Sequence, residues 1–370
     1  MTRFGWLAAL WLALFSPMAM ALTVTDLAGR SVILPDRIER IVLGEGRMIT
    51  ALGILDPADP LGRLVGMMGD FAALDPASYG VWQQKFPALA AVRPVGKISP
   101  DSFSVEQTIA LRPDLVIFGL AGHGPGVREK SVLDPLAAAG IPVLFVDFFL
   151  DPLVNVPRSL TLLGDALNRP QQAAAFTALY RQALAAVDDC VGTASHRPLV
   201  FLENRVGLQE DCCATVGAGV LGRFIERAGG RNLGSAIVPG LAGTISLEYL
   251  LTHQPDYYLG TAVGSPMTAA SHPNRIILGP GVAADQATAS LRRSLTRTGI
   301  ADLAAVQANR AGALWHHFFH SPFNVVALQA MARQFQPQAC AALDPDGLLT
   351  QFQRDFQPMP LPGRYWTALP

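Results

Sequence analysis

Charge is scarce in this chain: only 15% of its 370 residues are Asp, Glu, Lys or Arg, and 28 basic against 29 acidic residues leave a formal net charge of −1. That balance excludes a surface built to neutralise a phosphate backbone, and with it a nucleic-acid binder. Cysteine is scarcer still, with four residues, and neither a C-x-x-C nor an H-E-x-x-H spacing is present to mark a zinc site. No nucleophile elbow and no kinase-like signature occurs. Beyond the amino terminus, no stretch free of charge and proline reaches the roughly 20 residues that span a bilayer. What is left is 50% hydrophobic, with 34 Gly and 28 Pro spread in small clusters. This describes a compact, core-rich protein of two domains or one large one.

Residues 1–21 carry Arg3, an apolar run from Phe4 to Phe15 and the small-x-small sequence Ala19-Met20-Ala21. That order predicts a secretory signal peptide removed after Ala21. No Cys follows to carry a lipid, so the mature protein is expected to be free in the periplasm or secreted. In an oxidising compartment Cys190, Cys212, Cys213 and Cys340 allow three pairings, and buried thiols remain an alternative. A vicinal Cys212–Cys213 bridge competes with bonds to Cys190 and Cys340.

Short apolar, β-branched runs alternate with segments of helical period, the pattern of parallel sheets with crossover helices. The expected strands are Arg40–Leu43, Leu64–Met67, Leu115–Phe118 and Val143–Val146, then Leu199–Leu202, Tyr257–Gly260 and Ala313–His316. Val105–Leu111 and Val132–Ala139 read as helices between them. Residues 155–191 contain no strand, and their apolar positions predict one helix of about 20 residues after a shorter one, with a break near Pro170. The expected organisation is a leader over 1–21, an amino-terminal α/β lobe over 22–152, linking helices over 153–192, a carboxy-terminal lobe over 193–356 and a Pro-rich tail over 357–370. A single helical link implies lobes that move little against each other.

The two halves echo one another. Ser104-Val105-Glu106 precedes Pro113-Asp114 and a strand, and Ser246-Leu247-Glu248 precedes Pro255-Asp256 and a strand, at a constant offset of 142. In each copy Ser can cap a helix whose first turn carries Glu, where the helix dipole favours a carboxylate. Two exposed carboxylates on matching surfaces suit a partner with two-fold or pseudo-two-fold symmetry.

These segments, with Val24-Thr25-Asp26-Leu27-Ala28-Gly29-Arg30 and the Arg40-Ile41-Val42 strand, resemble the class III periplasmic binding proteins of ABC importers for ferric siderophores, haem and vitamin B12. The resemblance runs from about Leu22 to Gln334. It implies two Rossmann-like α/β lobes joined by one long helix, a ligand cleft between them, and a monomer with no intrinsic cofactor. It also implies that Glu106 and Glu248 dock on the transmembrane dimer of an ABC permease, and that the cargo is an iron complex, most often a ferric siderophore. Haem or cobalamin is the alternative within the family, and a periplasmic metal-dependent enzyme built on the histidines of 316–320 is the alternative of another class. Extra sequence over Gly264–Ala287 sets this chain apart from simpler members.

Ligands of α/β sheets bind beyond the carboxyl ends of the strands. Three loops are unusual there: Gly44-Glu45-Gly46-Arg47, the glycine-rich run 119–126 containing His123, and Glu203-Asn204-Arg205. The glycine-rich run lacks both phosphate-cradle spacings. Trp315-His316-His317-Phe318-Phe319-His320 is the densest cluster and suits a large or flat ligand. His316 and His317 are the candidate metal ligands, able to complete an iron shell left open by a chelator. Arg47, Arg205 and Arg275 are the candidate cations for an anionic Fe(III) chelate. Tyr79, Trp82, Phe148 and Phe149 are candidates for apolar walls.

Overall fold

A computed structural model describes residues 22–209 and 212–370; the leader expected over 1–21 lies outside them. The chain opens with an antiparallel hairpin, Leu22–Thr25 against Ser31–Leu34. Its turn explains the first of the sequence motifs. Asp26, 3% exposed, accepts from Ala28 N, Arg30 N, the Arg30 side chain and Phe145 N at 2.7–3.2 Å. Gly29, at φ 78°, supplies the left-handed residue that closes the turn. The carboxylate therefore pins the hairpin to the strand containing Phe145.

Ile41–Leu43, Leu64–Met67, Leu115–Gly119 and Val143–Val146 form a parallel sheet with Ile41–Leu43 at its centre, and Arg93–Pro94 adds a short edge beside Leu64–Met67. A second sheet runs in the order Arg231–Asn232, Leu199–Glu203, Tyr257–Ala262, Ala311–Trp315, Trp366–Ala368. Its first four strands are parallel and the last is antiparallel. The central strands bury both faces, which is why they read as continuous apolar runs.

Two corrections apply to the expectation. The strand placed at Ala313–His316 runs Ala311–Trp315, and His316–His320 forms a tight helical turn beyond it. Residues 357–370, set apart as a tail, include the Trp366–Ala368 edge strand of the second sheet. Their prolines sit before that strand, and Trp366 is 7% exposed. Burial of that ring outweighs the coil tendency of the prolines.

The link between the sheets is a helical hairpin, Pro152–Ala166 followed by the 23-residue helix Pro170–Gly192. Proline at the first turn of each needs no hydrogen-bond partner for its nitrogen. The long helix buries Ala173, Phe176, Thr177, Tyr180, Ala183 and Val187, one stripe at helical spacing. Within that stripe the Tyr180 hydroxyl donates to Asn324 Oδ1 at 2.7 Å. One large apolar cluster covers the inner faces of both sheets and these helices, and two smaller clusters cover the outer faces. The carboxy-terminal segment also returns to the amino-terminal helices Ile49–Leu55 and Pro76–Lys85, where Pro358 packs beside Gly53 and Trp82.

Cys190 pairs with Cys340 and Cys212 with Cys213. The first bridge ties the end of the long helix to the segment after Asn324–Phe335 and closes a separation of 150 residues. Closing so long a loop restricts the unfolded chain strongly. The double variant Cys190→Ser/Cys340→Ser is expected to lower Tm by about 5 °C in scanning calorimetry, and an unchanged Tm would deny the bridge that role.

The internal echo has a structural half and an exposed half. Ser104 and Ser246 cap their helices by accepting from Gln107 N and Tyr249 N. Asp114 accepts from Glu39 N and Arg40 N, and Asp256 accepts from Leu199 N, so each Pro-Asp staples its strand to a neighbour. Arg112 and Gln254, also offset by 142, both take positive φ where the helix ends. Glu106 and Glu248 remain, exposed on the first turns of Val105–Ala110 and Leu247–His253.

Candidate ligand-binding site

On the amino-terminal side, the turn after Leu43 is possible only with glycine: a Cβ on Gly44 would lie 2.1 Å from the Phe118 ring. The turn brings Glu45 and Arg47 to the strand ends, both 6% exposed. Arg47 Nε donates to Asp70 Oδ2 at 3.1 Å, and its Nη2 lies 3.6 Å from Glu45 Oε2. The glycine-rich run wraps this carboxylate rather than a phosphate. His123 N donates to Glu45 Oε1 at 3.1 Å, and a Cβ on Gly122, at φ 143°, would fall 1.9 Å from that oxygen. Burial pushes Glu45 up to about 7 against the opposing pull of Arg47, and pushes Asp75 up to about 6.

On the carboxy-terminal side Thr261 organises three residues. Its Oγ1 accepts from Arg205 N at 2.7 Å, lies 3.3 Å from Asn204 Oδ1 and shares a hydrogen bond of 3.1 Å with His316 Nδ1. Arg205 holds φ 55° at this corner and is exposed. Glu203 faces the other way. Arg297 grips both its oxygens at 2.7 and 2.6 Å and the Tyr258 hydroxyl donates to it at 2.5 Å, so it is unavailable as the acid or base that an enzyme would need.

The two sides enclose a cleft of about 480 Å³. All eight residues singled out as ligand candidates line it: Arg47, His123, Arg205, Arg275, Trp315, His316, His317 and His320. Phe149 joins them and lies parallel to His320, 4.5 Å between centroids. Trp82 sits behind the cleft, Tyr79 packs edge-on against Phe71, and Phe148 is core. Residues missed by sequence reasoning include Asp75, Leu221 and Leu241, and the extra segment contributes Ser265 and Thr268. Asp75 stands before Pro76 at a helix start, a capping signal that hides any second role.

Burial holds all four cleft imidazoles below their ordinary range, His317 down to about 3, with the Arg47 charge adding to each. They are therefore neutral at neutral pH and keep a lone pair for a hydrogen bond or a metal. His123 turns Nδ1 to the Ile98 carbonyl at 3.0 Å, which leaves Nε2 as its acceptor. Among the described residues no three His, Cys, Asp or Glu side chains converge as a metal site. A metal held here would need most of its ligands from the cargo. Arg205 and Arg275 form no ion pair among the described residues, and Arg275 Nε is buried without a partner.

Two α/β lobes, a helical link and a cationic, histidine-rich cleft between strand ends define a two-lobed solute-binding protein. The Periplasmic binding protein family model matches residues 64–296, well over half of the chain, and the chain belongs to that family. Its members are substrate-binding proteins rather than enzymes, and they work in the periplasm with ABC transporter permeases. No curated protein matches the sequence. Among solved structures the chain is similar to the TroA-like periplasmic binding protein FepB from Veillonella parvula, with TM-score 0.82 and 24% identity over 94% of this chain and 99% of that one. It is similar also to the molybdate-bound MolA of Haemophilus influenzae, with TM-score 0.66 and 17% identity over 90% and 97%. A periplasmic heme binding protein from Pseudomonas aeruginosa gives TM-score 0.55 and 24% identity over 82% and 94%. No helix among the described residues is long and apolar enough to cross a membrane.

Proposed function

We propose that this protein is the periplasmic receptor of an ABC importer for an anionic metal chelate, a ferric siderophore in the first instance. It is released by removal of residues 1–21, acts as a monomer and is docked on the permease through Glu106 and Glu248. The supporting observation is the convergence of Arg205 and Arg275, which form no ion pair among the described residues, and of Arg47, held by Asp70, with neutral imidazoles in one largely apolar cleft. Arginine forks match the oxygen-rich edge of such a complex, the apolar wall takes its hydrocarbon, and His316 or His317 can fill an open position on the metal. Haem is the second reading, favoured by the parallel Phe149 and His320 rings, which present a flat apolar face.

The test is titration of the purified protein with ferric siderophores, haem, cobalamin and free zinc or manganese, following quenching of the tryptophans. Tight binding of a ferric siderophore with silence from free metals is expected, and Arg205→Ala is expected to weaken it by about tenfold or more. A haem response with a shifted absorption band and no siderophore response would move the assignment to the second reading. Tight binding of bare zinc would overturn both.

A further inference from the structure

Behind the cleft lies a smaller chamber of about 40 Å³ that the reading above does not use. Its walls come from three parts of the chain: Ser78 and Trp82 from the helix Pro76–Lys85, His317 from the turn after Trp315, and Gln357 from the carboxy-terminal segment. Arg47, Asp75, Trp315, His317 and His320 line both spaces and form the partition between them. The chamber has room for a few water-sized groups.

Four buried polar atoms on its wall have no hydrogen-bond partner among the described residues: Arg47 Nη2, Trp82 Nε1, His317 Nδ1 and Gln357 Oε1. Three of these residues are 1–8% exposed, and Ser78 Oγ beside them turns to the Asp75 carboxylate. Native interiors rarely leave such atoms unpaired, and four around one space point to an occupant. Their roles define its chemistry. Arg47 Nη2 and Trp82 Nε1 only donate, Gln357 Oε1 only accepts, and His317 Nδ1 does either. An anion would meet Asp75 on the wall, with Asp70 and Glu45 already holding Arg47. A cation would meet Arg47, and an apolar group would leave every atom unsatisfied.

We propose that this chamber is an inner subsite for a small neutral group that both donates and accepts hydrogen bonds, a primary carboxamide or an alcohol, with ordered water in its place when none is bound. The subsite does not depend on which cargo fills the outer cleft. A cargo bearing such a substituent would reach it across the partition and exchange the resident water for its own hydrogen bonds.

The probes are acetamide and acetate, alike in size, the first neutral and the second an anion. In crystals of the purified protein, discrete waters bonded to Trp82 Nε1 and Gln357 Oε1 are expected, replaced by acetamide after soaking and left in place by acetate. In solution, the Trp82 indole N–H resonance, assigned by its loss in Trp82→Phe, is expected to shift saturably with acetamide and to stay fixed with acetate. A dry chamber would overturn the proposal. So would acetamide bound only elsewhere with the indole signal unmoved, or acetate shifting that signal as far as acetamide does. None of these readouts involves a chelate, so they stand apart from the titration that tests the receptor reading.

Discussion

Replacing Glu106 and Glu248 together by Ala is expected to reduce cargo uptake in whole cells to the level of a strain lacking the protein, while the purified variant binds cargo within twofold of the parent. The physical basis is the division of labour inside the echo. Ser and Asp of each copy are consumed by capping and by strand stapling, whereas the two Glu side chains are exposed and brace nothing in the core. Ser104 Oγ reaches Glu106 at 3.4 Å, a weak contact at the surface. Truncating both therefore leaves stability close to unchanged. If they meet cations on a permease, two desolvated charge pairs disappear at once, and each such pair is worth up to several kcal/mol at an interface, by roughly the measure of double-mutant cycles. Each single variant is expected to retain partial uptake. Full uptake in the double variant would remove both residues from docking, and a parallel loss of cargo affinity would show that they act through the cleft instead.

Much of this architecture is legible in the sequence because parallel strands buried on both faces are written as uninterrupted apolar runs, such as Leu115–Phe118 and Val143–Val146. Arg93–Pro94 and Arg231–Asn232 are not legible, since two residues carry no period and their pairing is decided by neighbours. Trp366–Ala368 escapes for a different reason: its partner strand is more than fifty residues away and prolines surround it. At the site, the rule that strand ends carry ligands led to seven of the eight candidates in one cleft, and Arg275 reaches it from the extra segment. The same rule misjudged Glu203, whose partner Arg297 lies 94 residues on and turns it away from the cleft. Asp70, 23 residues from Arg47, is likewise invisible until the sheet brings the two loops side by side. Side-chain type and strand position thus reveal where a site is, and long-range ion pairs decide which of its charges are free.

Stability of the purified protein is expected to fall as pH drops below about 6.5, with four buried imidazoles driving the fall and two buried carboxyl groups opposing it. Glu45 and Asp75 are pushed up by burial to about 7 and about 6, from 4.5 and 3.8. Between those values the folded chain keeps protons that the unfolded chain has released, so stability falls as pH rises through that window. For Glu45 the loss amounts to about 3 kcal/mol once pH exceeds 7, at roughly 1.4 kcal/mol per unit. The buried imidazoles run the other way. Burial lowers His317 from 6.5 to about 3, and His123, His316 and His320 shift in the same direction. Below about 6.5 the unfolded chain takes up protons that the folded cleft refuses, and stability falls as pH drops. Glu45→Gln keeps an oxygen to accept from His123 N but does not titrate, so it isolates the Glu45 contribution. Urea unfolding at pH 5, 6.5 and 8 is expected to show the variant gaining about 3 kcal/mol on the parent between pH 5 and pH 8. A parallel pH dependence in the two proteins would show that Glu45 is ionised throughout and shares Arg47 with Asp70.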